Sequence, residues 1–241
     1  MQNTAYNGGG ALFITDSNKI EIIGSVEFGL KSQYANNPTD STFVEQMVSR
    51  CHFSGNQAMS PKGEGGEGGA ICVDRKGSIK MSGCILVENI AGKSGGAINA
   101  KGKGYGTITN SIFLRNKAID GGALYAGDET ALIVLSDYFG YNRASNSGGA
   151  VRTSGKAALY ITNVGFVRNS AKLNGGAVSI DREGSNSICI SERGECKNAI
   201  QMSVYRNNTA GLKGGAIHFA HLVCRFKIPP KIIPKATPET T

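Results

Sequence analysis

The chain repeats one motif at nearly constant spacing, and a repeat of this period constrains the fold more than any local pattern. Gly-Gly-Ala closes at Ala11, Ala70, Ala97, Ala123, Ala150, Ala177 and Ala216, with central gaps of 27, 26, 27 and 27 residues. Upstream of each lies an Asn-x-Ala, headed by Asn3, Asn56, Asn89, Asn116, Asn142, Asn169 and Asn208. Three residues before all but the first of these asparagines stands Phe53, Leu86, Phe113, Phe139, Phe166 or Tyr205. The unit is therefore aromatic-x-x-Asn-x-Ala, a short gap, then Gly-Gly-Ala-aliphatic.

Within a unit the residues after Gly-Gly-Ala alternate. Leu12, Ile71, Ile98, Leu124, Val151, Val178 and Ile217 are apolar, the next residue is mixed, and the one after is apolar or small. That in-out-in order predicts a short half-buried strand. A second apolar column is counted five residues before the aromatic, at Ile23, Val48, Met81, Ile108, Val134, Ile161 and Ile200. The aromatic forms a third. About three short strands per repeat cannot close a core alone, but stacked repeats make one continuous. The expected fold is all-β: a right-handed parallel β-helix of about eight rungs and ~27 residues per rung. One degenerate rung is expected at Phe28, with Lys31 in the asparagine place.

Each repeated residue has a structural reason. Gly69, Gly96, Gly122, Gly149, Gly176 and Gly215, each with the glycine before it, supply left-handed backbone and close approach at a corner. Stacked asparagines can bond amide to amide, and stacked aromatics fill the interior. The repeat region is expected over residues 1–224, with loop insertions near 57–67 and 182–197. The Pro-, Lys- and Thr-rich residues 225–241 are expected to form a linker or disordered tail. The first residues hold neither a basic n-region nor an apolar h-region, and the chain starts within a repeat. A fragment with an uncapped first coil is the expectation, with self-association through such ends. Of the six cysteines, Cys189 and Cys196 close a short loop and are disulfide candidates; Cys51 and Cys84 stack as two buried thiols or as a disulfide.

Several chemistries are not encoded. Walker and dinucleotide fingerprints are missing, since the glycine pairs recur as turns. His218, His221 and Cys224 resemble a ligand set, but a spacing of three in a strand sends the two histidines to opposite faces, so no metal site is expected. Polysaccharide enzymes on parallel β-helices need clustered carboxylates. Here Asp120, Asp128, Glu129, Asp137, Asp181 and Glu183 take different places in the repeat, without an evident column or pair. No catalytic residue, cofactor or enzymatic activity is expected.

The tetrapeptides "FSGN", "FLRN", "FGYN" and "FVRN", in phase with "GGAI", "GGAL" and "GGAV", resemble the polymorphic outer membrane proteins of Chlamydiae and related bacteria. The resemblance runs from about residue 3 to about residue 220. It implies an autotransporter passenger displayed at the cell surface or outer membrane, a virulence-associated adhesin toward host-cell receptors. The family's signal peptide, middle domain and barrel do not occur in this chain, so any membrane association would come through regions outside it. A structural or degenerate solenoid without activity is the alternative, and a polysaccharide-active enzyme a weaker one.

Charge marks a candidate binding face. Residues 86–94, 113–120, 139–147, 166–174 and 205–213 hold Lys93, Arg115, Lys117, Arg143, Arg168, Lys172, Arg206 and Lys213 against Glu88 and Asp120, a net +6 of the chain's +8. Stacking is expected to gather them into one basic edge that attracts polyanions such as sulfated or acidic glycans. Nucleic acid is not expected, because no aromatic platform runs beside the charges.

Overall fold

The computed structural model describes residues 3–6, 8–15, 19–23, 51–60, 66–181, 188–189 and 198–220. Among them every regular element is a β-strand, and every strand pairing is parallel. The strands form four sheets, three of seven strands and one of six. The chain visits the sheets in turn, which is a parallel β-helix. Each turn of it starts at an asparagine.

The Gly-Gly-Ala sheet stacks Leu12–Ile14, Ile71–Val73, Ile98–Ala100, Leu124–Ala126, Val151–Thr153, Val178–Ile180 and Ile217–Phe219 in that order. The five-residue sheet holds Lys19–Ile23, Ser78–Ser82, Tyr105–Thr109, Ala131–Leu135 and Ala158–Thr162, then Asn198–Gln201 and Ile188–Cys189. The aromatic sheet holds His52–Ser54, Ile85–Val87, Ile112–Leu114, Tyr138–Gly140, Gly165–Val167 and Val204–Arg206. A fourth sheet stacks the two-residue strands after each asparagine, from Thr4–Ala5 to Thr209–Ala210. Three strands per rung were expected. The fourth is too short for alternation to reveal it.

The glycine pair works by two mechanisms. The first glycine of each pair is left-handed, as at Gly121 with φ 60° and Gly148 with φ 69°. The second allows backbone contact between coils. A Cβ on Gly149 would lie 2.0 Å from the Gly176 carbonyl oxygen, and one on Gly122 2.1 Å from that of Gly149. Gly215, in the last described coil, would meet nothing closer than 3.6 Å. A further left-handed position precedes each complete asparagine: Gly55, Glu88, Arg115, Tyr141, Arg168 and Asn207 have φ between 53° and 63°. Each non-glycine residue there costs about 1–2 kcal/mol, so the corner geometry is imposed by the stack.

One core runs along the axis. Phe113, Phe139 and Phe166 are fully buried and stack nearly parallel, with centroids 4.5 and 5.2 Å apart, and Tyr205 continues the column at 5.0 Å. Ile79, Met81, Ile108, Val134 and Ile161 fill the side of the five-residue sheet. In the first coil Ile22 pairs with Met81, while Ile23 pairs with Ser82 and is 70% exposed. The apolar column therefore uses Ile22, not Ile23; Val48 lies outside the described residues. A small second cluster of Ile85, Val87, Ile112 and Leu114, with Tyr138 packed on it, sits apart from this core.

The eighth rung expected at Phe28 and Lys31 falls outside the described residues. Leu12–Ile14 pairs directly with Ile71–Val73, and Lys19–Ile23 with Ser78–Ser82.

Candidate functional site

The asparagine column is the most complete side-chain network of the molecule. Asn142 shows the pattern. Its Oδ1 accepts from both the backbone N–H and the Nδ2 of Asn116, each at 3.0 Å. Its Nδ2 donates to Asn169 Oδ1 and to the Phe113 carbonyl, each at 3.0 Å. All four hydrogen-bonding capacities of the amide are thus used at zero exposure. The ladder runs from Asn3 to Asn208 across coils of 53, 33, 27, 26, 27 and 39 residues. Insertions change coil length but leave the ladder intact. These residues are scaffold.

Of the eight candidate cations, two lie in the two-residue strands and six flank these strands on both sides. Lys117 and Arg143 are register partners in that sheet and both are exposed. Arg115 and Arg168 occupy the left-handed column just before it, two coils apart. Arg206 stands one place earlier, opposite Val167. Lys93, Lys172 and Lys213 lie in the turn that leads to the glycine pair. Several of the charges have partners: Lys93 bonds Glu67 at 3.0 Å, Arg115 lies 3.6 Å from Glu88, and Arg168 donates to the Tyr141 hydroxyl at 2.7 Å with its guanidinium 5.6 Å from that ring's centre. The cations therefore follow two neighbouring turns and not one column. Cys196 lies outside the described residues, as do His221 and Cys224. Of Cys189 the strand is described.

A second group escaped the sequence reading. The outward position of the Gly-Gly-Ala sheet carries Phe13, Cys72, Asn99, Tyr125, Arg152, Ser179 and His218 in register. A half-buried strand was expected, yet Cys72, Asn99 and Ser179 are buried on this outer face. Ion pairs stand along it. Glu67 binds Lys101 at 2.5 Å and Lys93 at 3.0 Å. Burial works against its charge, but the two lysines more than offset this and hold its carboxyl below the usual value. Arg152 bridges Asp120 and Asp181. Burial opposes the guanidinium's charge too, and the two carboxylates outweigh it. So two of the acids that showed no evident pairing meet on one arginine. The signal was present: Glu67 and Asp120 both stand directly before a glycine pair.

Further along, Ser179 Oγ, Asn174 Oδ1 and His218 Nδ1 are buried without a hydrogen-bond partner among the described residues. Burial lowers the His218 pKa; the charge of Asp181 opposes this, and those of Lys213 and Arg152 add to it. Among the described residues, no three His, Cys, Asp or Glu side chains converge as a metal site requires.

Residues 50–74 match the family model of the Chlamydia polymorphic membrane protein repeat. The matched stretch contains Phe53, Asn56, Ala58 and Gly68-Gly69-Ala70, the residues that hold one coil on the next. The same motif stacks in register through the later coils, consistent with a polymorphic membrane protein repeat region. This repeat family implies an outer-membrane or surface location. No curated protein and no solved structure gives a significant match to the chain.

Proposed function

We propose that this repeat region is a non-enzymatic, surface-displayed passenger of the autotransporter kind. In this reading it acts as an adhesin whose basic turns engage sulfated or acidic glycans on host cells. The observation that carries the reading is the pairing of Lys117 with Arg143 on exposed strands, between the left-handed Arg115 and Arg168. These four cations recur over three successive coils. A line of like charge along a rigid scaffold attracts a flexible polyanion from a distance, and the contact weakens as salt screens it. Lys93 matters less, because Glu67 already neutralises it in part, whereas Arg115 keeps only a looser 3.6 Å contact with the exposed Glu88.

Heparin binding measured against salt tests the reading. Binding at low ionic strength should fall steeply toward physiological salt. It should drop at least tenfold when Arg115, Arg143, Arg168 and Lys172 are replaced together by glutamine. Absent binding at low salt, or binding indifferent to the fourfold replacement, would leave the alternative of a purely structural solenoid.

A further inference from the structure

Cys51 and Cys84 occupy the same corner of successive coils, each one residue before its strand, His52–Ser54 and Ile85–Val87. Those strands pair with His52 opposite Ile85, and the Ile85 amide donates to the Cys51 carbonyl at 3.0 Å. The two cysteines are thus neighbours in register, about 4.8 Å apart at Cα by the parallel-strand spacing. A disulfide spans a Cα separation of roughly 4.4–6.8 Å. Both side chains belong to the same core cluster; Cys84 is fully buried and Cys51 is 9% exposed. Their sulfurs carry thiols that hydrogen-bond to each other, and Cys84 Sγ also donates to the Ser82 carbonyl at 3.4 Å.

The same corner ties other coils together by side chains. The Cys84 amide donates to Ser111 Oγ at 3.2 Å, the Ser111 amide to Asp137 Oδ1 at 2.6 Å, and the Val164 amide to Ser203 Oγ at 3.2 Å. Between the first and second coils the corner residues are both cysteine.

We propose that Cys51 and Cys84 form an inter-coil disulfide when the protein meets a disulfide oxidant. The Cys51 thiolate attacks one sulfur of the oxidant's disulfide; that S–S bond breaks, the other sulfur leaves as a thiolate, and a mixed disulfide forms on Cys51. The Cys84 thiolate then attacks the Cys51 sulfur and expels the second half of the oxidant. Two protein thiols lose two protons and two electrons, and the oxidant's disulfide is reduced to two thiols. Cys51 is the entry point, because it is the less buried of the two and its hydrogen bond with Cys84 outweighs burial and lowers its pKa. Cys72 is a built-in contrast: burial pushes its thiol up to about 11, and it stands on the opposite face of a different sheet. The geometry holds whichever partner the basic turns bind, so a failure of heparin binding leaves this proposal untouched.

The test is to treat the reduced chain with oxidised glutathione and map its peptides without reduction. A bond joining the Cys51 and Cys84 peptides is expected, with a urea midpoint above that of the reduced protein, as a crosslink of this loop predicts. Cys72→Ser should keep both results, and Cys51→Ser or Cys84→Ser should lose both. The map of the wild-type chain needs no variant to fold. Glutathione adducts without the internal bond, a Cys51 or Cys84 bond to another cysteine, or no reaction would each overturn the proposal.

Discussion

The inward asparagine column and the outward column of the Gly-Gly-Ala sheet lie in the same coils yet obey opposite rules. Inward, the ladder repeats asparagine from Asn3 to Asn208. Outward, seven successive coils carry seven different residues: Phe13, Cys72, Asn99, Tyr125, Arg152, Ser179 and His218. The difference follows from what each residue needs of its neighbours. An asparagine in the ladder is satisfied by an identical residue above and below it, so a single change leaves unmet groups in two other coils. An outward residue finds partners that differ from coil to coil: Glu67 and Lys101 stand near Cys72, and Arg152 pairs with Asp120 and Asp181. Identity is required where each residue bonds the same residue of the next coil; variety is tolerated where each coil finds different partners in its neighbours.

Asn142→Ala should break the comparison most severely. It strands the buried Asn116 amide and one of its two Nδ2 hydrogens and takes the side-chain donor from the Phe113 carbonyl, while Asn169 Oδ1 keeps only the backbone N–H of residue 142. Unmet groups cost about 1–3 kcal/mol each, and with partial relaxation a loss of ~4 kcal/mol or more in urea unfolding is expected. Asn142→Asp should be at least as damaging, since a carboxylate cannot donate to Phe113 or Asn169.

Asp137 sharpens the rule by violating it. It sits in the corner column between Ser111 and Val164, with its Oδ2 buried and without a partner among the described residues. Burial raises its pKa well above the usual carboxylate value, and backbone hydrogen bonds at Ser111 and Leu135 offset this only in part. The folded state therefore holds this proton at pH values where the unfolded chain has lost it. Stability should be highest below the ordinary carboxylate pKa of about 3.9 and should fall as pH rises toward the raised value. Asp137→Ser, which copies Ser111, should remove that slope and raise the urea midpoint at neutral pH. A wild-type midpoint that climbs over the same range would contradict the burial argument.

The outward column should respond least. Arg152→Met removes a guanidinium that is 15% exposed between carboxylates 22% and 30% exposed. About 1–2 kcal/mol is expected, discounted for solvent screening. A loss matching that of Asn142→Ala would erase the distinction between the two columns.

The inward columns were legible because identity recurs at a fixed period. Phe113, Phe139 and Phe166, the asparagines and the glycine pairs could all be placed by counting. Counting failed where an insertion intervened. Measured backward from Phe28, the column in the first coil lands on Ile23, one residue past the Ile22 that pairs with Met81. Measured forward from Gly-Gly-Ala, Ala70 leads to Met81 by 11 residues and Ala11 leads to Ile22 by the same step. The left-handed column was hidden for another reason. Gly55 advertises it, but Glu88, Arg115, Tyr141 and Arg168 adopt the same backbone without a sequence mark. The Glu67 and Arg152 clamps were missed because their partners are close only across coils.

The central claim is that like residues in successive coils stack directly. Double-mutant cycles along the aromatic column test it most directly, with Phe113→Leu, Phe139→Leu and Phe166→Leu taken in pairs. Phe113 and Phe139, 4.5 Å apart and stacked, should couple by about 0.5–1.5 kcal/mol. Phe113 and Phe166, separated by one ring, should be additive to within about 0.5 kcal/mol. Additivity between Phe113 and Phe139, or coupling as strong between Phe113 and Phe166, would contradict the stacked coil.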